Sequence, residues 1–218
     1  MSLKSTRITA LAIVAVAAGA SLWARTQLPD APIVTHFDAS GHANGTMPRD
    51  AALAVMPALG LAIAGLMLWL LPAIMPKKAT LARSAEACGA AALATLVFLG
   101  LIHGGLIALA LHYPVDVARL TLIGVAMLFI VIGNYLPKTR YNYVMGIRNA
   151  WTLSSEEVWD RTHRVAGPLF IVTGLLIAAD AILVPFPQAH VFMVAGAVIA
   201  VLICQIYAYW TAKKLNLT

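Results

Sequence analysis

The sequence predicts an all-α membrane protein, a single bundle of about six transmembrane helices with its N- and C-termini in the cytoplasm. Three observations support this prediction. Hydrophobic residues make up 61% of the 218 residues and charged residues only 11%, which lies outside the range of ordinary globular domains. The mean hydropathy is +0.85. The apolar residues also fall in runs long enough to cross a hydrocarbon core about 30 Å thick.

Six apolar runs are predicted to span the bilayer, at residues 8–24, 51–75, 87–111, 120–136, 165–185 and 190–212. We expect α-helices, because a single run in lipid satisfies its backbone hydrogen bonds only by coiling. The first run also has the features of a secretory signal peptide, which cleavage would remove. Trp23 and Arg25 follow this run as interfacial anchors and favour its retention.

Lysine and arginine are distributed unequally between the two predicted faces of the membrane. Of the 15 residues, only Arg25, Arg49 and Arg119 fall on the side opposite the termini. Because cytoplasmic loops retain Lys and Arg, both termini are predicted to be cytoplasmic. The net charge of +6 then reflects topology and contact with anionic lipid headgroups, and we expect the lipid bilayer rather than nucleic acid as the partner. The cytoplasmic cations are Lys4, Arg7, Lys77, Lys78, Arg83, Lys138, Arg140, Arg148, Arg161, Arg164, Lys213 and Lys214.

No repeat of 20 to 50 residues and no Pro- or Ser-rich linker divides the sequence, so we expect one integrated membrane domain. Residues 1–75 hold the first two predicted helices and an outer loop at residues 26–50. Residues 76–218 hold four helices and a cytoplasmic loop at residues 137–164. The outer loop contains "DASGHANG", in which Asn44-Gly45 favours positive φ and Asp38 can accept backbone hydrogen bonds. A compact loop is therefore expected.

The histidines and cysteines predict no metal site, no cofactor and no disulfide. Cys88 and Cys204 both fall inside predicted helices, as small buried hydrophobic residues. "DASGHANG" does not provide the alternating oxygen ligands and closing glutamate of a calcium loop. The histidines of the outer half lack the close spacing of zinc ligands on one helix, and only one lies deep enough in a span to ligate haem. These histidines are His36, His42, His103, His112 and His190.

Asp180 is the only carboxylate within a predicted span, in the outer third of the fifth helix. Ionisable residues at membrane depth are costly and are often functional. A proton- or ion-coupling role together with His103 is one interpretation. The alternative is that Asp180 reaches the outer interface or is held neutral by a neighbouring helix.

The second half of the cytoplasmic loop, "LSSEEVWDRTHR", predicts a helix that begins at Ser155. Ser154 is its predicted N-cap, with Glu157 three residues later completing a capping box. Spacings of four residues predict ion pairs between Glu157 and Arg161 and between Asp160 and Arg164. A less polar face is expected to lie along the headgroups before the chain turns into the fifth span near Gly167-Pro168. That face consists of Val158, Trp159, Thr162 and Val165.

The first half of this loop, "GNYLPKTRYNYVMGIRNAW", predicts a shaped loop rather than an amphipathic helix. An interfacial aromatic belt and cytoplasmic cations account for Tyr135, Tyr141, Tyr143, Trp151, Lys138 and Arg140. They do not account for Asn134, Asn142 and Gly146.

The segments "GNYLPK", "NYVMGIR" and "WTLSSEEVWDRTHR" closely resemble the motif of the SdpI family, multi-pass bacterial membrane proteins named for immunity to a secreted antimicrobial peptide. The matching residues are Gly133, Asn134, Leu136, Pro137, Lys138, Asn142, Tyr143, Gly146, Arg148, Trp151, Thr152, Trp159, His163 and Arg164. The outer loop resembles a short domain of unknown function, DUF1648, that often precedes this motif. Its matching residues are Leu28, Pro29, Thr35, His36, Phe37, Asp38 and Gly41.

The resemblance implies a protein of the bacterial cytoplasmic (inner) membrane that protects its cell against a membrane-active peptide. It also implies that a toxin-bound protein can hold a cytoplasmic transcriptional repressor at the membrane. We expect no catalytic residues. Two alternatives stay open: a small secondary transporter or channel that uses Asp180 and His103, and an intramembrane enzyme that uses His163, Arg164 and nearby carboxylates. Inverted repeats and an adjacent nucleophile–base pair, which these alternatives need, are not apparent in the sequence.

Overall fold

The computed structural model describes residues 2–74, 78–186 and 188–217. Within them, six helices are long and apolar enough to cross a membrane, which confirms the predicted all-α multi-pass class. The end of the predicted 51–75 run and Lys77 lie outside the described residues. The helices are α1 (Leu3–Gln27), α2 (Arg49–Gly65) with a π-helical turn (Leu66–Leu70) and a short α3 (Leu71–Ile74), α4 (Lys78–Ala110), α5 (Val117–Tyr135) with a 3₁₀ turn (Leu136–Lys138), α6 (Glu156–Leu183) and α7 (Gln188–Lys214).

The outer loop folds into a β-hairpin that hydropathy did not predict. Strand β1 (Ile33–Phe37) pairs antiparallel with β2 (Ala43–Met47). The Asp38 carboxylate accepts the backbone N–H groups of Ser40 and His42 at 2.8 and 3.0 Å, as predicted for this residue. The positive φ lies at Gly41 (+83°), whereas Asn44-Gly45 lies within β2, so that part of the turn prediction was wrong.

The hairpin is anchored to the bundle by an apolar contact and an ion pair. Ile33 is buried in a cluster with Ala24 of α1, Leu53 of α2 and Ile107 of α4. Below it, the Arg25 guanidinium forms two hydrogen bonds of 3.0 Å with the Asp50 carboxylate and ties α1 to α2. The 25-residue loop region is therefore as compact as the sequence predicts.

Close contacts join neighbouring helices of the bundle. Gly133 of α5 and Gly167 of α6 lie so close that a Cβ on either would come within about 3 Å of the other helix's backbone. Elsewhere in the bundle, Arg7 of α1 donates from Nε and Nη2 to the Leu68 carbonyl in the π-helical turn, at 3.0 and 2.7 Å.

The hairpin, the 111–116 connection and Phe186 lie together at one end of the bundle, which is called the hairpin end. The termini and the segment between α5 and α6 lie at the opposite, loop end.

Helix α6 differs from the prediction at both the start and the middle. It begins at Glu156, and the N-cap is Ser155, whose Oγ accepts the Glu157 N–H at 3.1 Å, so the predicted capping box does not form. The helix also continues through Gly167-Pro168 without turning. Pro168 lies on the exposed face, and a proline within a membrane helix costs little where neighbouring groups satisfy the freed carbonyl.

The two cysteines are buried, as predicted.

Candidate functional site

The segment between α5 and α6, residues 139–155, is called the motif loop here, and His163 of α6 holds it in place. His163 Nε2 accepts the backbone N–H of Ile147 at 2.9 Å, so the ring proton resides on Nδ1, which donates to the Trp159 carbonyl at 2.9 Å. The Trp159 indole stacks on the imidazole at a centroid distance of 4.1 Å and donates from Nε1 to the Thr139 carbonyl at 3.3 Å. Both side chains are at most 1% exposed. Trp159 therefore binds the loop at its start, at Thr139, and His163 binds it near its centre, at Ile147.

Gly146 allows the loop to lie against this pair. Its φ is +110°, which favours glycine. A Cβ at this position would lie 2.5 Å from His163 Nε2 and 2.9 Å from two carbons of the Trp159 ring. The glycine is therefore required both by the backbone conformation and by the close approach of α6.

Short-range side chain to backbone bonds determine the rest of the loop. The buried Asn142 amide oxygen accepts the N–H groups of Val144 and Met145, at 2.8 and 2.9 Å, and its nitrogen donates to the Arg140 carbonyl at 2.7 Å. Thr152 and Asn149 form reciprocal bonds: Asn149 N–H donates to Thr152 Oγ1 at 3.0 Å, and Thr152 N–H donates to Asn149 Oδ1 at 2.7 Å. The loop is thus a shaped structure, as its residues predict.

The loop is also bonded to other helices. Arg140 N–H donates to Ser84 Oγ of α4 at 3.1 Å, and Asn149 Nδ2 donates to Gln205 of α7. Trp151 packs edge-on against Tyr209 of α7, with ring centroids 5.3 Å apart. Three helices besides α5 therefore fix the position of this segment.

The exposed side chains of the loop include Tyr143 and Arg148. Tyr143 is 67% exposed, and Arg148 is exposed while its Nη1 donates to the Tyr143 carbonyl at 2.6 Å. The Tyr143 and Tyr141 hydroxyls are 2.9 Å apart, and this hydrogen bond, with some burial, raises the pKa of Tyr141 above its ordinary value. Together these side chains form a polar, cationic surface at the loop end.

The ion-pair predictions for the start of α6 were half right. Arg161 donates to Glu157 at 2.5 Å, as predicted. Asp160, however, lies 3.9 Å from Arg140 of the motif loop rather than pairing with Arg164. The predicted less polar face of this helix also packs against protein instead of lying along headgroups: Val158, Trp159 and Thr162 are fully buried.

The predicted motif residues divide into two groups. The first group is buried and shapes the loop or its approach to α6: Gly133, Leu136, Asn142, Thr152, Trp159 and His163. The second is exposed: Asn134, Pro137, Lys138, Tyr143, Gly146, Arg148 and Arg164, with Trp151 half-buried. Among the loop's supporting residues, sequence reasoning missed Thr139, Asn149 and Gln205. The Asn-x-x-Thr spacing at 149–152 was a usable signal, because such pairs often form local side chain to backbone bonds.

A groove of about 640 Å³ opens at the hairpin end between the hairpin, the 111–116 connection and Phe186. Its lining is mostly apolar and includes Val34, Leu109 and Val115. Four of the seven outer-loop motif residues line it: Leu28, Pro29, Phe37 and Gly41. The groove is called the hairpin groove below.

The other three outer-loop motif residues have different positions. Thr35 lies on the side of β1 that faces His103. His36 is exposed, and its Nδ1 forms a hydrogen bond of 2.5 Å with Asn44 Oδ1. Asp38 organises the turn. Its backbone bonds, the one from His42 first, hold the pKa of this carboxyl below its ordinary value despite some desolvation.

The suggested pairing of His103 with Asp180 does not occur. His103 is buried at 2% exposure, and its Nε2 lies 2.8 Å from Ser21 Oγ of α1, which in turn donates to the Leu53 carbonyl of α2 at 2.7 Å. Asp180 is half-buried on α6, and no hydrogen bond or ion pair of its carboxylate occurs within the described residues. His103 therefore links α4 to α1 and does not extend toward Asp180.

Comparison with known proteins supports the resemblance that the motifs indicate. Residues 138–208 match the SdpI/YfhL protein family, and residues 12–61 match the domain of unknown function DUF1648. The chain is similar to the Bacillus subtilis (strain 168) protein named Immunity protein SdpI, with 28% identity over 123 residues. This match covers 56% of the chain and 58% of the relative's length. No solved structure matches the chain.

The two family matches include the hairpin and the motif loop, respectively. DUF1648 covers the hairpin and most of α1 and α2, and the SdpI/YfhL match begins at the motif loop and reaches into α7. With six helices in the described residues that are long and apolar enough to cross a membrane, and with a bacterial relative, the protein is a multi-pass protein of the cytoplasmic membrane. Residues 138–208 are thus similar to the SdpI/YfhL protein family, and residues 12–61 before them are similar to DUF1648.

Proposed function

We propose that this protein is an immunity protein that protects its cell against a membrane-active antimicrobial peptide. The observation that carries the proposal is the similarity to Immunity protein SdpI over 123 residues, together with the SdpI/YfhL family match at residues 138–208. The proposed activity is binding, and it requires no catalytic residue. The structure contributes the surfaces on which such binding can be tested.

The hairpin groove is the proposed peptide site. Its walls come from the hairpin, from Leu109 and Val115 and from Phe186, so a bound segment would contact three separate parts of the fold. The lining is mostly apolar, which suits the apolar face of a membrane-active peptide because burial of apolar surface drives such contacts. The predicted topology places the groove on the outer face, where a secreted peptide arrives.

The first test is protection of living cells. A strain without the gene is challenged with a panel of membrane-active peptides and complemented with the wild-type protein, Phe186→Ala or Tyr113→Ala. Phe186 lines the groove, whereas Tyr113 belongs to the same end of the bundle, is 62% exposed and does not line it. We expect Phe186→Ala to lose protection and Tyr113→Ala to keep it. Equal sensitivity of the deletion and wild-type strains to every peptide would contradict the proposal.

A second part of the proposal concerns the motif loop, which we propose as a docking surface for a cytoplasmic transcriptional repressor when peptide is bound. Helix α6 supplies a physical connection: its first two turns carry Trp159 and His163, and its last residue, Leu183, lies three residues before Phe186 of the groove. A helix of 28 residues spans about 42 Å. Coupling further requires that the peptide bind one of two conformations more tightly than the other.

Purification from native membranes before and after peptide exposure tests this docking surface. Tyr143→Ala and Arg148→Ala are expected to reduce peptide-dependent recovery of a DNA-binding repressor, because both side chains are exposed on the loop. Protection in the complementation assay should stay unchanged. Lys4→Ala, which removes an exposed cation at the same end of the bundle, is the matched control. Recovery of the repressor with both loop variants at the wild-type level would contradict this part.

A further inference from the structure

A second groove, of about 390 Å³, lies between the start of α6 and the end of α7 at the loop end. It is separate from the hairpin groove and from the buried contacts of the motif loop. Its lining combines Arg161 of α6 with Ile203, Ile206, Tyr207, Trp210 and Lys214 of α7. Neither the motif nor the proposed immunity function uses this groove.

The α7 residues of this groove form one helix face that changes in chemistry along its length. Positions 203, 206, 207, 210 and 214 follow the three- and four-residue spacing of a single helical stripe. The stripe passes from isoleucines through Tyr207 and Trp210 to Lys214, over 11 residues or about 16 Å. This order matches the change from acyl chain through the interfacial region to headgroup in a phospholipid, where aromatic residues favour the interfacial depth.

Charge at the headgroup end of the groove is positive. Lys213 stacks over the Trp210 ring at 5.3 Å beside Lys214, and Arg161 completes the rim. The nearby carboxylate, Glu157, bonds to Arg161 Nη2 at 2.5 Å, while Asp160 pairs with Arg140 instead. The two cations of the lining, Arg161 and Lys214, and the adjacent Lys213 outnumber this carboxylate and leave the rim complementary to an anion.

From this arrangement we propose that the α6–α7 groove binds an anionic glycerophospholipid. The phosphate contacts Arg161 and Lys214, the interfacial region packs on Trp210 and Tyr207, and an acyl chain lies along Ile203 and Ile206. A free phosphate ion would engage only the rim, whereas Ile203 and Ile206, 42% and 55% exposed, provide a surface that an acyl chain covers. The occupant is therefore a lipid.

Lipid titration of the purified full-length protein, followed by native mass spectrometry, tests the proposal. The probes are phosphatidylglycerol and phosphatidylcholine with identical acyl chains, and inorganic phosphate is added as a competitor. We expect tighter binding of phosphatidylglycerol, little competition by phosphate, and binding about 25-fold weaker in the Arg161→Gln/Lys214→Gln double variant, at about 5-fold per cation. The control double variant Lys4→Gln/Lys138→Gln removes two exposed cations elsewhere at the loop end and should bind as the wild type does.

A second measurement follows tryptophan fluorescence. Brominated phosphatidylglycerol should quench tryptophan fluorescence more than brominated phosphatidylcholine, and Trp210→Phe should remove that difference. The proposal is overturned if both headgroups bind or quench equally, if phosphate displaces the lipid, or if the two double variants lose affinity to the same extent. None of these outcomes bears on peptide protection, so this inference and the proposed function fail separately.

Discussion

Among single residues, His163 holds the motif loop against α6, because both of its ring nitrogens form hydrogen bonds within the protein. His163→Ala would leave the Ile147 N–H without its acceptor and open a space beside Trp159. A buried donor without a partner costs about 1–3 kcal/mol. We expect the free energy of unfolding in detergent to fall by at least this amount. The measurement is a denaturant or thermal unfolding curve of the purified protein.

Arg164→Ala is the matched control for this change, since Arg164 is the next residue of α6 and is exposed. Substitutions at exposed positions usually alter the free energy of unfolding by less than about 0.5 kcal/mol. If His163→Ala unfolds as the control does, the imidazole does not support the loop.

Gly146→Ala tests the opposite side of the same contact. The added methyl group would occupy a positive-φ position 2.5 Å from His163 Nε2, so backbone strain and a steric clash act together. Strained backbone conformations cost about 1–3 kcal/mol each. We expect faster proteolytic cleavage within residues 139–155, measured by limited digestion and peptide mapping.

Gly19→Ala in α1 provides the comparison, because nothing lies within 4 Å of a Cβ at that position. Alanine in a helix is favoured over glycine by up to about 1 kcal/mol, so the control should be neutral or stabilising. Equal cleavage rates for both variants would show that the loop does not pack on His163 as described.

At the scale of residues, the sequence indicated the motif residues but not the contacts that most of them make. Ser154 and Ser155 are both good N-cap residues, and the choice depends on the turn before them: Ser154 Oγ bonds back to the Trp151 carbonyl at 2.7 Å, which leaves Ser155 as the cap. The roles of Asn142 and His163 depend likewise on irregular backbone geometry. Periodicity carries no information about such geometry, because these bonds form between residues without a repeating spacing.

At the scale of elements, the hairpin turn depends on the ionised carboxylate of Asp38. Its pKa is lowered mainly by the backbone bond from His42, so the folded-state value lies below the unfolded one, which is about 3.9. The turn's stabilisation is therefore complete above the unfolded pKa and is lost as pH falls through the folded pKa. An NMR titration of the Ser40 and His42 amide signals should give a midpoint below the ordinary aspartate value.

Asp38→Asn is the control for this titration, because its amide oxygen can still accept both N–H groups but does not ionise in this range. The low-pH step in the two amide signals should disappear in this variant. A midpoint at or above the ordinary aspartate value in the wild type would contradict the description of the turn.

The elements themselves were predictable to different degrees. The six spanning helices of the described residues were found from hydropathy, because the cost of unsatisfied backbone groups in lipid leaves few alternatives to a helix. The hairpin was missed, since β1 is only five residues long and its burial depends on contacts such as that of Ile33 with three helices. The continuity of α6 through Pro168 was missed because the start of this helix was expected to lie along the headgroups and then turn, whereas Val158, Trp159 and Thr162 are buried against protein and the helix is continuous.

For the whole molecule, the two ends of the bundle differ in chemistry in a way that fits the proposed division of function. The hairpin end presents a mostly apolar groove, and the loop end presents a polar, cationic surface around Tyr143 and Arg148. The direction in which the helices cross the membrane determines which of these two surfaces is cytoplasmic. The unequal distribution of lysine and arginine predicts that the loop end is cytoplasmic.

The last prediction tests this orientation. Tyr143 and Tyr113 lie at opposite ends and are similarly exposed, at 67% and 62%, so they form a matched pair of reporter positions. Each is changed to cysteine in a Cys88→Ala/Cys204→Ala background, which removes the two buried native thiols. We expect a membrane-impermeant maleimide to label Tyr113→Cys in intact spheroplasts and Tyr143→Cys only after permeabilisation. Labelling of Tyr143→Cys in intact spheroplasts would invert the topology, leave the hairpin groove facing the cytoplasm, and remove the physical basis for peptide binding there.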